Sequence, residues 1–166
     1  MIAITGATGK LGQLVAAALL AKVPAKDIAV LVRSPEKAAA LAAQGVSVRQ
    51  ADYRNPQSLT DALHGVSKLL LISSNEVGQR LAQHQAVIEA AKSAGVTLLA
   101  YTSLLHADSS PLLLAAEHRA TEAAIRASGI PFVFLRNGWY TENYTGALGA
   151  AIQHGAIIGS AGEGRV

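Results

Sequence analysis

Short apolar runs alternate with alanine-rich stretches along most of the chain. The runs are rich in Val, Ile and Leu and lack strict apolar/polar alternation, which is typical of strands that are covered on both faces. We predict six strands, over residues 2–5, 28–32, 46–50, 68–72, 97–101 and 132–135. Because the stretches between them favour helices, the pattern predicts an α/β fold with a mostly parallel sheet and helices on both faces.

The stretches between the strands carry apolar residues at helical spacing. In the first stretch these are Leu11, Leu14, Val15, Ala18 and Leu19, which we expect to form one stripe against the sheet. Further helices are predicted over residues 35–43, 56–63, 78–94 and 112–127. Each of these is followed by a glycine suited to a left-handed helix cap, namely Gly45, Gly65, Gly95 and Gly129.

Two of the helices are predicted to begin at a proline. Pro35 and Pro56 suit a first helical turn, where no backbone N–H is needed, and Ser34 and Asn55 before them are candidate caps. The chain shows no linker, repeat or low-complexity tract. We therefore predict that residues 1–166 form one domain.

Composition and charge narrow the class of protein. With 166 residues, of which 51% are hydrophobic, the chain can bury a core, so a disordered chain is not expected. The net charge is +3 and the basic residues are scattered singly, so nucleic acid is not an expected partner. The absence of cysteine excludes disulfides, thiolate metal sites and cysteine nucleophiles, and we expect a cytoplasmic protein without a metal site.

The sequence gives no indication of a membrane segment. No basic leader precedes the first apolar run, so a secretory signal is not expected. The uncharged stretch 143–162 contains Asn143, Gln153, His154 and several glycines, which makes it a poor membrane span. We expect a soluble protein.

A glycine-rich turn joins the first strand to the first helix, with the sequence Gly6-Ala7-Thr8-Gly9-Lys10-Leu11-Gly12. A strand that enters such a turn before a helix directs backbone N–H groups and the positive helix end at one spot, as a pyrophosphate requires. We expect Gly6 to form the tight turn, Gly9 to admit the phosphate and Gly12 to let the helix lie close to the strand. The spacing differs from the more familiar G-x-G-x-x-G pattern, and three glycines could be turn chemistry alone. Their position favours a dinucleotide-binding, Rossmann-type doubly wound fold.

The residue after the second strand indicates which dinucleotide is bound. NAD-binding proteins usually have a carboxylate there for the ribose 2′-hydroxyl, but this chain has Arg33, which can pair with the 2′-phosphate of NADP. NADP is therefore the expected cofactor. Lys10 and Lys37 are either further positive charges in the same pocket or ordinary solvated lysines.

Polar residues also follow the third and fourth strands. Asp52 either accepts a hydrogen bond from the adenine amino group or stabilises the turn before Pro56. Ser73, Ser74 and Asn75 lie at the carboxyl edge of the sheet, where doubly wound folds bind ligands, and are expected to line the cofactor site. One of these three is alternatively a helix cap.

Candidate catalytic residues are sparse. Thr102 and Ser103 follow the fifth strand, where a hydroxyl could orient a substrate carbonyl, but each of the four tyrosines lacks the lysine four residues later that a conventional short-chain dehydrogenase has. His118 and Glu122 share a helix face and either relay protons or bind an ion, or form a solvated surface pair, which is the commoner case and our interpretation. We assign no catalytic residue. Without an acid pair, a quinone is a more suitable acceptor than a ketone, because its hydroquinone anion is delocalised and can be protonated by solvent.

An aromatic segment follows the sixth strand and includes Trp139, Tyr140 and Tyr144. Its planar side chains are candidates to stack on a flat ring, and Asn137 is a candidate to orient the nicotinamide carboxamide. The alternative is a turn at Asn137-Gly138 followed by aromatic packing under the last helix.

Five segments together, GATGKLG, VLVRSPEKA, LLLISSNEVGQR, AYTSLLHAD and LRNGWYTENY, resemble the type 2 NAD(P)H:quinone oxidoreductases of the NmrA-like atypical short-chain dehydrogenase/reductase family. The resemblance covers the whole chain. It implies two-electron reduction of a small quinone by hydride transfer from NADPH. It also implies these cofactor contacts: Gly6, Ala7, Thr8, Gly9, Lys10, Leu11, Arg33, Ser73, Ser74, Asn75, Asn137, Gly138, Trp139, Tyr140, Thr141 and Glu142.

The chain differs from this family in its length. Members of the family continue beyond this length into a smaller domain that closes the substrate cleft, so we expect the chain to lack that C-terminal substrate subdomain. The same family includes NADP(H)-binding regulators without catalytic activity, and a redox sensor of that type is the alternative function. A homo-oligomer is left open, whereas nucleic acid and membrane are not expected partners.

Overall fold

The structure, a computed structural model, describes residues 1–156 and contains six strands in that range. The strands are β1 Ile2–Thr5, β2 Ile28–Val32, β3 Ser47–Gln50, β4 Lys68–Leu71, β5 Leu98–Leu104 and β6 Phe132–Asn137. The helices are α1 Lys10–Leu20, α2 Ala39–Ala42, α3 Pro56–Ala62, α4 Arg80–Ser93, α5 Leu113–Ser128, α6 Glu142–Thr145 and α7 Leu148–His154. Short 3₁₀ turns cover Ala25–Asp27 and Pro35–Ala38.

The strands form one sheet in the order β3-β2-β1-β4-β5-β6. Ile4 of β1 lies opposite Val30 of β2 on one side and Leu70 of β4 on the other, both in parallel register. The strand order reverses between β1 and β4, which is the point where doubly wound sheets bind ligands. The predicted Rossmann-type fold is confirmed.

The core lies on both faces of the sheet because neighbouring residues of a strand point to opposite sides. Ala3 of β1 belongs to a buried cluster with residues of α3, α4 and α5, such as Leu59 and Val87. Ile4 belongs to a second cluster, which includes Ala16 of α1. Helices therefore cover both faces, as predicted, and the strands read as continuous apolar runs for that reason.

Contacts divide the chain into two units, residues 1–136 and residues 137–166. The first contains the sheet and helices α1 to α5, and the described part of the second contains the short helices α6 and α7. Residues 157–166 of the predicted single domain lie outside the described residues. The prediction of one domain over 1–166 stays a prediction.

Most helix signals are confirmed, with three corrections. The four predicted capping glycines all adopt positive φ. Asn55 caps α3, because its side chain accepts a hydrogen bond from Ser58 N at 3.2 Å. Ser34, the other predicted cap, makes no side-chain cap hydrogen bond. The stripe on α1 is confirmed in part: Val15 and Leu19 pack against the buried cluster beside Ala16, whereas Leu14 is 65% exposed. The predicted helix over 35–43 is a 3₁₀ turn followed by the four-residue α2.

Within residues 1–156, no helix is both long enough and apolar enough to span a membrane.

Candidate functional site

A cavity of about 690 Å³ opens at the carboxyl ends of the first four strands, beside the point where the strand order reverses. Its lining combines the glycine turn with residues that follow β2, β3 and β4. The lining residues are Gly6, Thr8, Gly9, Leu31, Val32, Arg33, Ser34, Lys37, Ala51, Asp52, Tyr53, Ile72, Ser73, Ser74, Asn75, Glu76 and Gln83. The volume suits a small organic ligand or part of a cofactor.

The glycine turn has the geometry that its spacing predicts at two positions. Gly6 has φ +61°, a left-handed conformation that a side chain would strain. At Gly12 a Cβ atom would lie 2.3 Å from the carbonyl oxygen of Gly6 and 2.6 Å from Cα of Ala7, so only glycine lets α1 lie this close to the turn. Gly9 donates its N–H to the Gly6 carbonyl at 3.0 Å, which closes the turn.

The start of α1 presents backbone amide groups to the turn. Gly9 is the N-cap and has no side chain to accept their hydrogen bonds, and the first turn of α1 contains no acidic residue. An anion at this helix end is favoured both by these N–H groups and by the helix dipole. Of the predicted turn contacts, Gly6, Thr8 and Gly9 line the cavity, whereas Ala7, Lys10 and Leu11 are not part of that lining.

Arg33 lies at the end of β2, and its side chain is 68% exposed. Its Nη1 is 3.6 Å from Oε1 of Glu76, whose other oxygen accepts hydrogen bonds from Arg54 Nη2 and, at 2.9 Å, from Gln83 Nε2. The hydrogen bond from Arg54 is the main reason why the pKa of Glu76 lies below its ordinary value. Lys37 also lines the cavity, so the lining holds two cationic side chains that can pair with a phosphate, beside the carboxylates of Asp52 and Glu76.

Asp52 stabilises the local turn and also lines the cavity. Its Oδ1 accepts the backbone N–H of Arg54 at 2.9 Å, which confirms the predicted turn-stabilising role. Since Asp52 lies in the cavity lining, the predicted contact with an adenine amino group stays a prediction.

Ser73, Ser74 and Asn75 line the cavity beside the glycine turn, as their position after β4 predicts. They do not cap α4, because its N-cap is Gln79. Ser74 Oγ accepts the backbone N–H of Glu76 at 3.2 Å and so stabilises the turn within this segment.

Thr102 and Ser103 belong to β5, which extends three residues past its predicted end. Both side chains are buried and have protein partners. Thr102 Oγ1 accepts the backbone N–H of Ser73 at 2.8 Å, and Ser103 Oγ donates to Oε1 of Glu122 at 2.6 Å. The hydroxyls thus hold the protein together at this edge rather than facing a substrate.

The interpretation of His118 and Glu122 as a solvated pair is wrong. They are only 5% and 1% exposed. Nδ1 of His118 is 2.7 Å from the hydroxyl of Tyr101, and the Glu122 carboxylate accepts hydrogen bonds from Ser103 and Arg136. Burial raises the pKa of Glu122, but the hydrogen bonds from Arg136 and Ser103 outweigh that effect and leave the pKa below its ordinary value. Both side chains are structural.

Two buried histidines, His84 and His118, should make the stability of the fold sensitive to acid. Burial is the main cause that lowers the pKa of His84 to about 3 and that of His118 to about 4. In the unfolded chain both histidines have a pKa of about 6.5. Above that pH both states hold neutral histidines, and the stability is unaffected. As the pH falls below it, the unfolded chain binds protons that the folded chain does not, so the free energy of unfolding decreases until the pH reaches the pKa values of the folded state. We expect the free energy of unfolding to fall by about 4 kcal/mol between about pH 7 and pH 5, which is about 2 kcal/mol for each histidine, measured by urea denaturation.

The matched comparison is the variant His118→Gln, which removes one of the two groups. Its free energy of unfolding should depend less steeply on pH over the same interval, because one proton fewer is taken up on unfolding. A free energy of unfolding that stays constant from neutral to acidic pH would contradict the assignment.

The predicted residues from Asn137 to Glu142 belong to the second unit, which is described by itself. Asn137 Nδ2 donates to the Tyr140 hydroxyl at 2.9 Å. Trp139 is 57% exposed, and Tyr140 and Tyr144 are exposed as well. The alternative of aromatic packing under the last helix is not tested by these exposures, because residues 157–166 lie outside the described residues. Contact of this segment, including Gly138 and Thr141, with a cofactor stays a prediction.

Among residues 1–156, no three His, Asp or Glu side chains are grouped so that they could hold a metal ion.

Comparison with known proteins places the site in a family context. A family model described as NAD(P)H-binding matches residues 6–161. The chain is 61% identical over 166 residues to Quinone oxidoreductase 2 of Escherichia coli (strain K12). This match covers 100% of the chain and 58% of the E. coli protein. The chain is 38% identical over 148 residues to an NmrA-like family domain-containing oxidoreductase of Aspergillus flavus, covering 85% of this chain and 48% of that protein.

A solved structure is similar over nearly the whole chain. It is that of an NADPH-dependent quinone oxidoreductase from E. coli complexed with NADPH, with a TM-score of 0.91 and 61% identity, covering 97% of this chain and 57% of that one. The chain therefore spans about half the length of the relatives that it matches.

Proposed function

This chain belongs to the NAD(P)H-binding family, and from that premise we propose that it binds NADPH and uses it to reduce a small quinone by two electrons. The observation that carries the proposal is the cavity at the sheet's reversal point, where the glycine turn, with the α1 N-cap Gly9, and Arg33 lie on one lining. A relative with 61% identity is named a quinone oxidoreductase, which supports the choice of acceptor.

The residues of the cavity fit an NADP-type dinucleotide. Gly12 keeps α1 against the turn, where a Cβ atom would collide with Gly6, so the helix end and its N–H groups lie at the cavity. These groups suit the pyrophosphate. Arg33 and Lys37 supply positive charge for the 2′-phosphate, and Ser73 to Asn75 also line the cavity. We propose that residues 137–142 make further contacts with the cofactor.

The protein's contribution to the reaction is binding and orientation. When bound, the reduced nicotinamide supplies a hydride, which together with a proton converts a quinone to a hydroquinone. The hydroxyls of Thr102 and Ser103 and the buried groups of His118 and Glu122 are occupied by protein partners, so we assign none of them as a proton donor. Solvent protonates the delocalised product anion, and positioning of the two flat rings is the main catalytic task.

The proposal is tested with the 166-residue chain in two measurements. Isothermal titration calorimetry with NADPH and NADH should show tighter binding of NADPH. Loss of nicotinamide absorbance on addition of a small quinone should be saturable and proportional to protein concentration.

The control is the same mixture without protein, since quinones can react directly with NADPH. Tight NADPH binding without any protein-dependent oxidation would overturn the reductase proposal and favour the NADP(H)-binding redox sensor instead. Absence of NADPH binding would overturn both.

A further inference from the structure

The backbone that follows β4 is held by side chains rather than by a neighbouring strand. Thr5 Oγ1 accepts the N–H of Ile72 at 2.9 Å, and the Tyr53 hydroxyl donates to the Ile72 carbonyl at 3.2 Å. Thr102 Oγ1 accepts the N–H of Ser73 at 2.8 Å. Burial raises the pKa of Tyr53 to about 12, so its hydroxyl stays protonated and remains a donor at neutral pH. Three elements of the sheet edge thus fix this backbone.

Ser74 is bonded at both of its backbone polar groups by side chains of α4. His84 Nε2 accepts the Ser74 N–H at 2.9 Å, and Arg80 Nε donates to the Ser74 carbonyl at 2.6 Å. Residues four apart on a helix lie on one face, which is why both side chains reach the same residue. We call these two side chains, His84 and Arg80, the Ser74 clamp.

The tautomer of His84 follows from its hydrogen bonds. Because Nε2 accepts from a backbone N–H, the ring proton must be on Nδ1, which lies 3.0 Å from Thr121 Oγ1. The Thr121 hydroxyl in turn donates to the carbonyl oxygen of Glu117 at 2.9 Å. His84 has no measurable exposure, and its low pKa keeps the ring neutral, so Nε2 remains an acceptor.

Arg80 is fixed from the other side by α5. Its Nη1 is 2.6 Å from Oε2 of Glu117, and the side chain of Arg80 is 5% exposed. Oε1 of Glu117 accepts the N–H of Gly78 at 2.9 Å. The same ion pair therefore holds both the start of the segment, at Ser74, and its end, at Gly78.

We propose that the Ser74 clamp is a set of positioning residues that determines the affinity for the dinucleotide cofactor. The inference rests on the proposed function. Ser73, Ser74 and Asn75 line the cavity, and the clamp holds them in place before a ligand enters. A segment that is already ordered loses less conformational freedom on binding, so the cofactor binds more tightly. Sequence motifs do not assign this role to either residue.

The test compares two substitutions of His84 in the full chain. His84→Leu removes the acceptor for the Ser74 N–H, and we expect the Kd for NADPH, measured by calorimetry, to rise about tenfold. His84→Gln can place its amide oxygen near the position of Nε2 and accept the same hydrogen bond, so its Kd should stay within about twofold of the unsubstituted chain.

His118→Leu is the matched control, because His118 is equally buried but bonds to Tyr101 instead of the segment. It should lower the thermal midpoint without changing the Kd for NADPH, which separates positioning from general stability. If His84→Leu does not fold, Arg80→Met is compared with Arg80→Lys in the same way, since only lysine keeps a donor for the Ser74 carbonyl.

Three results would overturn the inference: an unchanged Kd in His84→Leu, an equal loss in His84→Gln, or an equal loss in His118→Leu. If the unsubstituted chain does not bind NADPH, the proposed function itself fails and the inference falls with it. If it binds NADPH and only the variant pattern fails, the proposed function stands and the clamp is structural alone.

Discussion

Replacement of Gly12 by alanine is expected to abolish NADPH binding and to destabilise the fold. The added Cβ atom would lie 2.3 Å from the Gly6 carbonyl oxygen, 2.6 Å from Cα of Ala7 and 2.9 Å from the Gly6 carbonyl carbon. All three are backbone atoms, so no side-chain rotation relieves the overlap and α1 must move away from the turn. We expect a loss of about 3 kcal/mol or more, which is a large part of the stability of an ordinary domain.

The matched control for this prediction is Gly149→Ala. Gly149 lies in α7, and a Cβ atom there meets no atom of residues 1–156 within 4 Å. Since alanine is a better helix former than glycine, we expect no loss and a gain of at most about 1 kcal/mol. Urea denaturation of both variants, together with NADPH titration, tests the comparison. A Gly12→Ala chain that keeps its stability and its cofactor affinity would show that the close approach of α1 is not required.

The fold was predictable because its strands are buried on both faces. Ile28–Val32 is a run of five buried apolar residues, and such a run has few alternatives to a central strand. The end of β5 was not predictable in the same way, since Thr102 and Ser103 are polar and resemble the start of a loop. Their hydroxyls bond to Ser73 and Glu122, which are distant in sequence. Local patterns carry no information about such partners.

In the candidate site, too, some residues could be predicted from the sequence and others could not. The glycine turn, Arg33 and the segment after β4 were found because a parallel sheet brings the ends of its strands to one edge. Glu76 and Gln83 were missed, since their place in the lining depends on the path of the loop before α4. The signal that could have revealed the Ser74 clamp is the i, i+4 spacing of Arg80 and His84.

The error at His118 and Glu122 has a physical explanation. Polar side chains on a helix usually face solvent, and a buried carboxylate is tolerated only when it is paired. Glu122 meets that condition through Arg136, fourteen residues away, which also binds Asp108 through both of its terminal nitrogens. Helical spacing reveals the nearer partner, Arg126, which lies four residues on and 3.3 Å from Glu122, but it cannot reveal the pair with Arg136.

Replacement of Arg33 by alanine is expected to weaken NADPH binding far more than NADH binding. The two cofactors differ only in the 2′-phosphate, and Arg33 is the arginine in the cavity lining at the end of β2. Loss of a charge-assisted contact with a phosphate costs about 2 kcal/mol, so we expect the Kd for NADPH to rise about 30-fold while the Kd for NADH changes little. Titration calorimetry with both cofactors measures the two changes.

Two further variants separate a specific contact from a general change in charge. Lys92→Ala removes one positive charge from α4 away from the cavity and should leave both Kd values unchanged. Arg33→Lys keeps the charge but loses the planar fork that binds two phosphate oxygens, so its effect should be intermediate. Equal weakening of NADPH and NADH by Arg33→Ala would refute the phosphate contact. The ion pair with Glu76, 3.6 Å from Arg33, would then account for the position of the guanidinium.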